Sequence, residues 1–409
     1  MIIKLITNLN IIIYINIVKM SYYMIPKINN LVNINPFIQA NPCSIFTSHS
    51  LFLFYNDLKE QLLRINSFYL NNLNLDKNTN TIDYIKKIVN PYEYIFSKVP
   101  GSKYSVSKLK PTTNLFYDLL EITNTLNIFD HFKNMNIKSI HISNNFDDSL
   151  ECIELIRENM KDENYCFHNI DDIYNITDEN KFHFIFYEIN NLYFNDINIY
   201  ISSLIKIVLF ILKNQERNGC CLIKIDHMFH KGVVDILYIL GSLYEKIYVI
   251  KPNTSNIISF EKYIVCKNLI FCENKKKIYT KYYNQLNSFI INYQCLDNPK
   301  HIHSIIQNDL PYYFINKIDD MNIIIGQQQL ESIDQIINIF KNKNKDEKLD
   351  IIRKNNIQKS VNWCEKFKIP CNKFSEKINI FLPIIKKPKD YEDELLKEDI
   401  CMEESIQLV

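Results

Sequence analysis

Three ionisable residues sit near the ends of apolar runs, and their types suit proton handling. Lys224 comes near the end of Cys-Cys-Leu-Ile-Lys-Ile, residues 220–225. Glu261 lies in Ser-Phe-Glu-Lys-Tyr-Ile-Val-Cys, residues 259–266, and Glu188 near the close of Phe-His-Phe-Ile-Phe-Tyr-Glu-Ile, residues 182–189. Lysine and carboxylate side chains can position a hydroxyl and share its proton without a metal. A second set is basic: Lys98, Lys103, Lys108 and Lys110 bracket Pro100-Gly101 in a turn-rich run from Asn90 to Pro111. Lysines and backbone amides in such a loop can hold a phosphate backbone. Each has a plainer reading. A strand-end lysine snorkels to water, an edge-strand glutamate guards against aggregation, and a lysine-rich loop is simply solvated.

The elements that must carry these residues alternate between strand and helix periodicity. Residues 220–225 read as a strand and 232–244 as a helix, with Val233, Ile236, Leu237, Leu240 and Leu243 at helical spacing. Residues 246–251 and 259–266 read as strands parted by a Pro-Asn-Thr-Ser-Asn turn. This is the closing half of an α/β sheet, with a final hairpin expected at its edge. Three of the five glycines (Gly219, Gly232, Gly241) fall in this half. Upstream, 113–129 predicts an amphipathic helix and 138–143 the first sheet strand. Asp147 opens the next helix, with Asp148 and Glu151 at capping-box spacing. Residues 165–168 form a second strand, 182–189 a buried one, and 196–212 a helix. Residues 20–88 predict a mostly helical lead-in, and 326–341 an amphipathic helix in a helical C-terminal region, 273–387. Trp363 reads as a core anchor or as a platform for a base. Residues 388–409 form an acidic tail.

At 409 residues the chain can bury a sizeable core. Lys+Arg 47 against Asp+Glu 46 excludes a global basic field, so any nucleic-acid surface must be local. Abundant Ile, Asn, Lys, Tyr and Phe match AT-rich codons, which strips lysine and asparagine density of meaning. The eleven cysteines show no paired zinc spacing, so no metal is expected, and they fit a reducing compartment. Residues 1–19 imitate a signal or membrane segment, but Asn8, Asn10, Asn16 and two lysines interrupt it. An upstream extension with Met20 as the start is the alternative, and no membrane association is expected.

The residues from Asn218-Gly219 to Lys224, then Lys251-Pro252-Asn253-Thr254-Ser255-Asn256, then Ser259-Phe260-Glu261-Lys262-Tyr263-Ile264-Val265-Cys266 resemble a known series. They are similar to the closing half of FtsJ/RrmJ-type, S-adenosylmethionine-dependent RNA ribose 2′-O-methyltransferases. Asn90-Pro91-Tyr92-Glu93 resembles the entry of the mRNA cap methyltransferase branch. Residues 98–111 resemble the version found in large nucleocytoplasmic DNA viruses. The resemblance spans about residues 88 to 270.

That resemblance implies a Rossmann-like α/β methyltransferase sheet, here residues 89–272, with helical additions at both ends. It implies S-adenosyl-L-methionine as cofactor, RNA (capped viral mRNA) as substrate, and the host cytoplasm or virion as location. A viral protein partner is also in keeping with it. The family's Lys-Asp-Lys-Glu tetrad maps Lys224 to the central lysine, Glu261 to the glutamate and Glu188 to the aspartate. Motif order makes Lys108 the first lysine, with Lys103 beside it; counting back from Phe129-Asp130 instead puts Glu121 there. Lys103 and Lys110 would contact RNA. The cofactor loop after the first strand, Ser143-Asn144-Asn145-Phe146-Asp147-Asp148, lacks the family's glycines, and His141 replaces the strand aspartate. His141, Asn144 and Asn145 therefore line a cofactor site expected to be weak or lost, with Asp171 or Asp172 toward the adenosine edge. A degenerate relic kept as an RNA-binding, structural or stimulatory protein is the alternative to an active enzyme.

Overall fold

The computed structural model describes residues 21–72, 82–176, 180–189, 196–270, 273–296, 300–341 and 345–372. The candidate leader 1–19 and the acidic tail 388–409 lie outside them. The described elements run β1 (Ser21–Ile25), β2 (Ile34–Gln39), α1 (His49–Asn72), α2 (Ile82–Val89) and α3 (Leu115–Leu126). Next come β3 (Lys138–Ile142), α4 (Asp147–Ile156), β4 (Glu163–Phe167), β5 (Phe182–Glu188) and α5 (Ile197–Asn214). Then follow β6 (Gln215–Ile225), α6 (Lys231–Leu243), β7 (Tyr244–Lys251), β8 (Lys262–Leu269) and α7 (Glu273–Gln294). The last are β9 (His301–Ile306), α8 (Tyr312–Lys341) and α9 (Lys345–Lys366).

Seven strands form one sheet in the order β1-β7-β8-β6-β5-β3-β4. Strands β4, β3, β5 and β6 run parallel, each parallel neighbour reached through a helical crossover, while β8 inserts antiparallel between β6 and β7. This is the Rossmann-like α/β architecture that the strand-helix alternation predicts. Side-chain alternation divides the sheet into two faces. Ile140, Ile142, Tyr187, Ile223, Val249 and Ile264 join the large core built with α5, α6 and α7. The opposite face, carrying Phe184, packs against Phe129 just beyond α3, their ring centroids 5.1 Å apart. The sheet end that bears Glu188 and Lys224 opens on this second face.

Several expectations change. The lead-in is not simply helical: β1 pairs antiparallel with β7, and β2 pairs with β9 in a separate two-stranded sheet. β1, not the β7–β8 hairpin, therefore makes that edge, and β8 is interior. Glu261 precedes β8 instead of lying in it, so it does not guard an edge. Asp148 is no cap. The helix starts at Asp147 as expected, with Phe146 at its N-cap, and the buried Asp148 carboxylate accepts from the backbone N–H groups of Thr112 and Thr113 at 2.7 and 2.6 Å. The C-terminal amphipathic pattern extends to a helix of 30 residues because it begins at Tyr312. Helix α5 is apolar and long enough to cross a membrane, but Ile201, Leu204, Ile205 and Val208 are fully buried in the core, as in a central helix of a packed domain.

Helix α8 lies on α1, and Gly326 makes their close approach possible. A Cβ at Gly326 would collide with the Leu51 side chain. Gly326→Val is expected to cost about 1–3 kcal/mol by overpacking, read as a lowered urea midpoint. Leu51→Ala in the same chain should recover part of it, whereas additive losses would place the cost elsewhere.

Contacts divide the chain into two compact units, 1–91 with 111–343 and 92–110 with 344–409. In the second, the Lys108 amide donates to the Pro370 carbonyl at 2.8 Å, and Ser107 bridges to Cys371. Trp363 is buried there with its ring 4.6 Å from that of Phe367, so it serves as a core anchor and not as a base platform.

Candidate functional site

Lys224 is the hub of a charged cluster at the carboxyl end of β6. Parallel pairing sets Glu188 of β5 directly beside it, and the ammonium donates to Glu188 Oε1 at 2.8 Å. Glu261 Oε2 lies 3.7 Å from the same nitrogen. Glu188 is itself fixed, because Ser143 Oγ, just past β3, donates to its Oε2 at 2.5 Å. The three side chains are only 13%, 18% and 27% exposed for Lys224, Glu188 and Glu261, so water screens them little. Burial works against the Lys224 charge, but Glu188, Glu261 and Asp118 outweigh it and raise its proton affinity above that of an ordinary lysine.

Asp118 is the member that sequence reasoning missed. It is buried on α3, and its carboxylate accepts from Thr254 Oγ1 at 2.5 Å and from the Tyr263 hydroxyl at 3.0 Å. Tyr263 of β8 is the register partner of Lys224. Burial pushes the Asp118 carboxyl up to about 6, against the two hydroxyl donors and Lys224, which pull it down. Glu121, one turn on, turns to the following loop: it accepts from the Asn253 amide N–H at 3.0 Å and from Asn253 Nδ2 at 2.7 Å. Glu121 thus holds the Pro252–Asn256 turn, and the carboxylate that faces Lys224 from α3 is Asp118. Two carboxylates three apart on an otherwise apolar helix were the available signal.

The same turn is tied from inside by Lys251. Its buried ammonium donates to the carbonyls of Asn256, Ser259 and Glu261 at 2.7, 2.7 and 2.8 Å. Burial pushes this lysine down to about 7, while the three carbonyl acceptors use all of its donors. The Lys251-Pro252 motif therefore shapes the segment that presents Glu261.

Lys103, Lys108 and Lys110 belong to the second unit and are exposed. His141 is wholly buried on β3. Its Nε2 lies 2.9 Å from Ser139 Oγ and its Nδ1 2.9 Å from Ser149 Oγ, so both ring nitrogens are engaged in the core and neither meets a cofactor. Burial lowers its pKa to about 3. Asp172 caps its own short helix, accepting from the Asn169 amide at 3.1 Å, and Asp171 pairs with Lys206 at 2.5 Å.

The loop after β3 carries side chains where the resemblance implies glycines. A methionine and ribose need close backbone approach there, which glycine permits and side chains obstruct. Here the Phe146 ring packs on that of His168 with centroids 5.0 Å apart, and His168 Nδ1 lies 3.3 Å from the Asn144 carbonyl oxygen. The loops after β3 and β4 thus close on each other. Among the described residues no group of three or more His, Cys, Asp or Glu is placed to hold a metal ion.

No protein-family model matches the chain. Over 130 residues it is 25% identical to the cap-specific mRNA (nucleoside-2′-O-)-methyltransferase 1 of Leishmania braziliensis. That likeness agrees with the FtsJ-like resemblance of the sequence. The matched segment covers 31% of this chain and 31% of the Leishmania protein, so the chain spans only about a third of that relative. A crystal structure of a Plasmodium falciparum protein described as a ribosomal RNA methyltransferase aligns with 39% of this chain and 99% of its own, at 16% identity and a TM-score of 0.31. The site sets three carboxylates, Glu188, Glu261 and Asp118, around Lys224.

Proposed function

We propose that the α/β core receives RNA at a site of the ribose 2′-O-methyltransferase type, with its cofactor affinity much weakened. The observation that carries the reading is the Lys224 cluster: a cation fixed between Glu188 and Glu261 at the open end of the sheet. A ribose 2′-hydroxyl set against Lys224 Nζ would accept from the ammonium and donate to a carboxylate oxygen of Glu188 or Glu261. A protonated lysine accepts no proton itself, so it would stabilise charge on the ribose oxygen while a carboxylate shares the hydroxyl proton. S-Adenosylmethionine would supply the methyl group in the family's reaction. The likeness of residues 90–93 and 98–111 to cap enzymes and their viral forms supports capped mRNA as the RNA, in a viral setting.

Calorimetry with S-adenosylmethionine, run beside filter binding of capped RNA, tests this. Loss of one charge-assisted bond to the cofactor costs about 1.5–3 kcal/mol, a roughly tenfold to hundredfold loss of affinity before the side chains of the loop are counted. Weak or undetectable cofactor binding with retained RNA binding is expected. Lys103→Ala, Lys108→Ala and Lys110→Ala should then weaken RNA affinity and flatten its salt dependence. The intact Lys224 cluster favours a second reading, a competent enzyme. Micromolar cofactor binding, with methyl transfer abolished by Lys224→Ala while binding persists, would establish that reading and overturn the first.

A further inference from the structure

The geometry points to Asp118 as a positioning residue that locks the Pro252–Asn256 turn against α3 and adds a third carboxylate to the two that hold Lys224 as a cation. This deepens the functional reading above, since it rests on Lys224 being the centre of the site.

Three independent contacts carry it. Thr254, in the turn, donates to one Asp118 oxygen at 2.5 Å, and Tyr263, opposite Lys224 across β6 and β8, donates to the other at 3.0 Å. The Asp118 carboxylate therefore has both oxygens fixed and cannot swing away from the lysine. Glu121 repeats the grip one turn along through Asn253. A buried carboxylate with one purely structural partner could be replaced by an amide with little consequence. This one faces a buried cation, and an isolated charge there would be costly.

The charged and titratable groups around Lys224 come from four directions. They are Asp118 on α3, Glu188 on β5, Glu261 before β8, and Tyr263 on β8, which bonds Asp118 instead of the lysine. Lys251 of β7 also feels the charge of Glu261 and Asp118. Removing Asp118 alone leaves Lys224 with Glu188 and Glu261, so the fold of the cluster survives while its charge balance shifts. With three carboxylates around one lysine the site differs in kind from one in which two lysines share the centre.

Competitive labelling of the full chain with acetic anhydride across pH 8 to 10, read by mass spectrometry, tests this because only neutral lysine reacts. In Asp118→Asn the pH at which Lys224 becomes reactive should fall, giving roughly tenfold faster labelling at a fixed pH for each unit of fall. Lys262, buried on β8 with Asp226 as its charged neighbour, should keep its wild-type profile, and Asp118→Glu should restore that of Lys224. Tyr263→Phe, which keeps the ring in the core and removes one donor, should shift Lys224 the same way by a smaller factor and serves if Asp118→Asn does not fold. An unchanged Lys224 profile in both variants would overturn the proposal. So would a rise in labelling by the same factor at every pH for Lys224 and Lys262 together, which marks local loosening. The readout needs neither cofactor nor RNA. Failure of RNA binding would therefore sink the functional reading while a shifted Lys224 profile still upheld the role of Asp118.

Discussion

Lys224→Ala is expected to destabilise the folded chain by about 2–4 kcal/mol at pH 8, discounted from the roughly 3–5 of a fully enclosed pair because its partners keep some contact with water. The alanine leaves Glu188, Glu261 and Asp118 facing one another with no cation among them. Each carboxyl then binds its proton more tightly in the folded than in the unfolded state. A raised carboxyl pKa favours folding at low pH and is lost as a benefit when pH climbs through the folded value. The deficit should therefore be largest at pH 8 and shrink toward pH 5. Urea unfolding of wild type and variant at the two pH values measures it. Glu188→Gln should cost less, because Lys224 retains Glu261 and Asp118. A deficit equal at both pH values would mean that lost packing of the lysine stem, not charge, explains the effect.

The same residues separate what was legible in the sequence from what was not. Strand-end positions of Lys224 and Glu188 follow from apolar runs whose period and boundaries are local properties, and parallel β5–β6 pairing then brings them together. The Lys251-Pro252 turn was readable because proline and asparagine chemistry is local too. Asp118 was hidden because its role depends on α3 lying across β8, a tertiary fact with no local sequence trace beyond a carboxylate on an apolar stripe. His141 was misread for the complementary reason. Its place on β3 was found correctly, but its partners Ser139 and Ser149 come from β3 itself and from α4, whose packing turns the ring inward. The strands β1 and β9 escaped because their pairing partners lie far along the chain, β1 with β7 and β2 with β9.

Buried histidines should make the fold acid-labile well above the range of ordinary carboxylates. Burial lowers His141 to about 3 and His227 to about 3, and His230 to about 4. His227 and His230 follow β6 with ring centroids 5.1 Å apart, and among the described residues neither Nδ1 has a hydrogen-bond partner. A second proton on either ring would add charge beside the other. In the unfolded chain all three titrate near 6.5. The folded pKa is the lower one, so their contribution is fully present above pH 6.5 and is lost as pH falls toward 3. For the two most buried rings the loss down to pH 3 is about 5 kcal/mol each, at about 1.4 kcal/mol per pH unit, which rivals the whole stability of a typical domain. Thermal melts between pH 7 and 4 should show midpoints falling steeply from just below 6.5. His141→Gln keeps polar contact with Ser139 and Ser149 but cannot titrate. It should start less stable at pH 7 and lose less on acidification, so the two curves converge. Parallel curves would mean that His141 takes up its proton in the fold as readily as in the unfolded chain, so that burial does not suppress its charge.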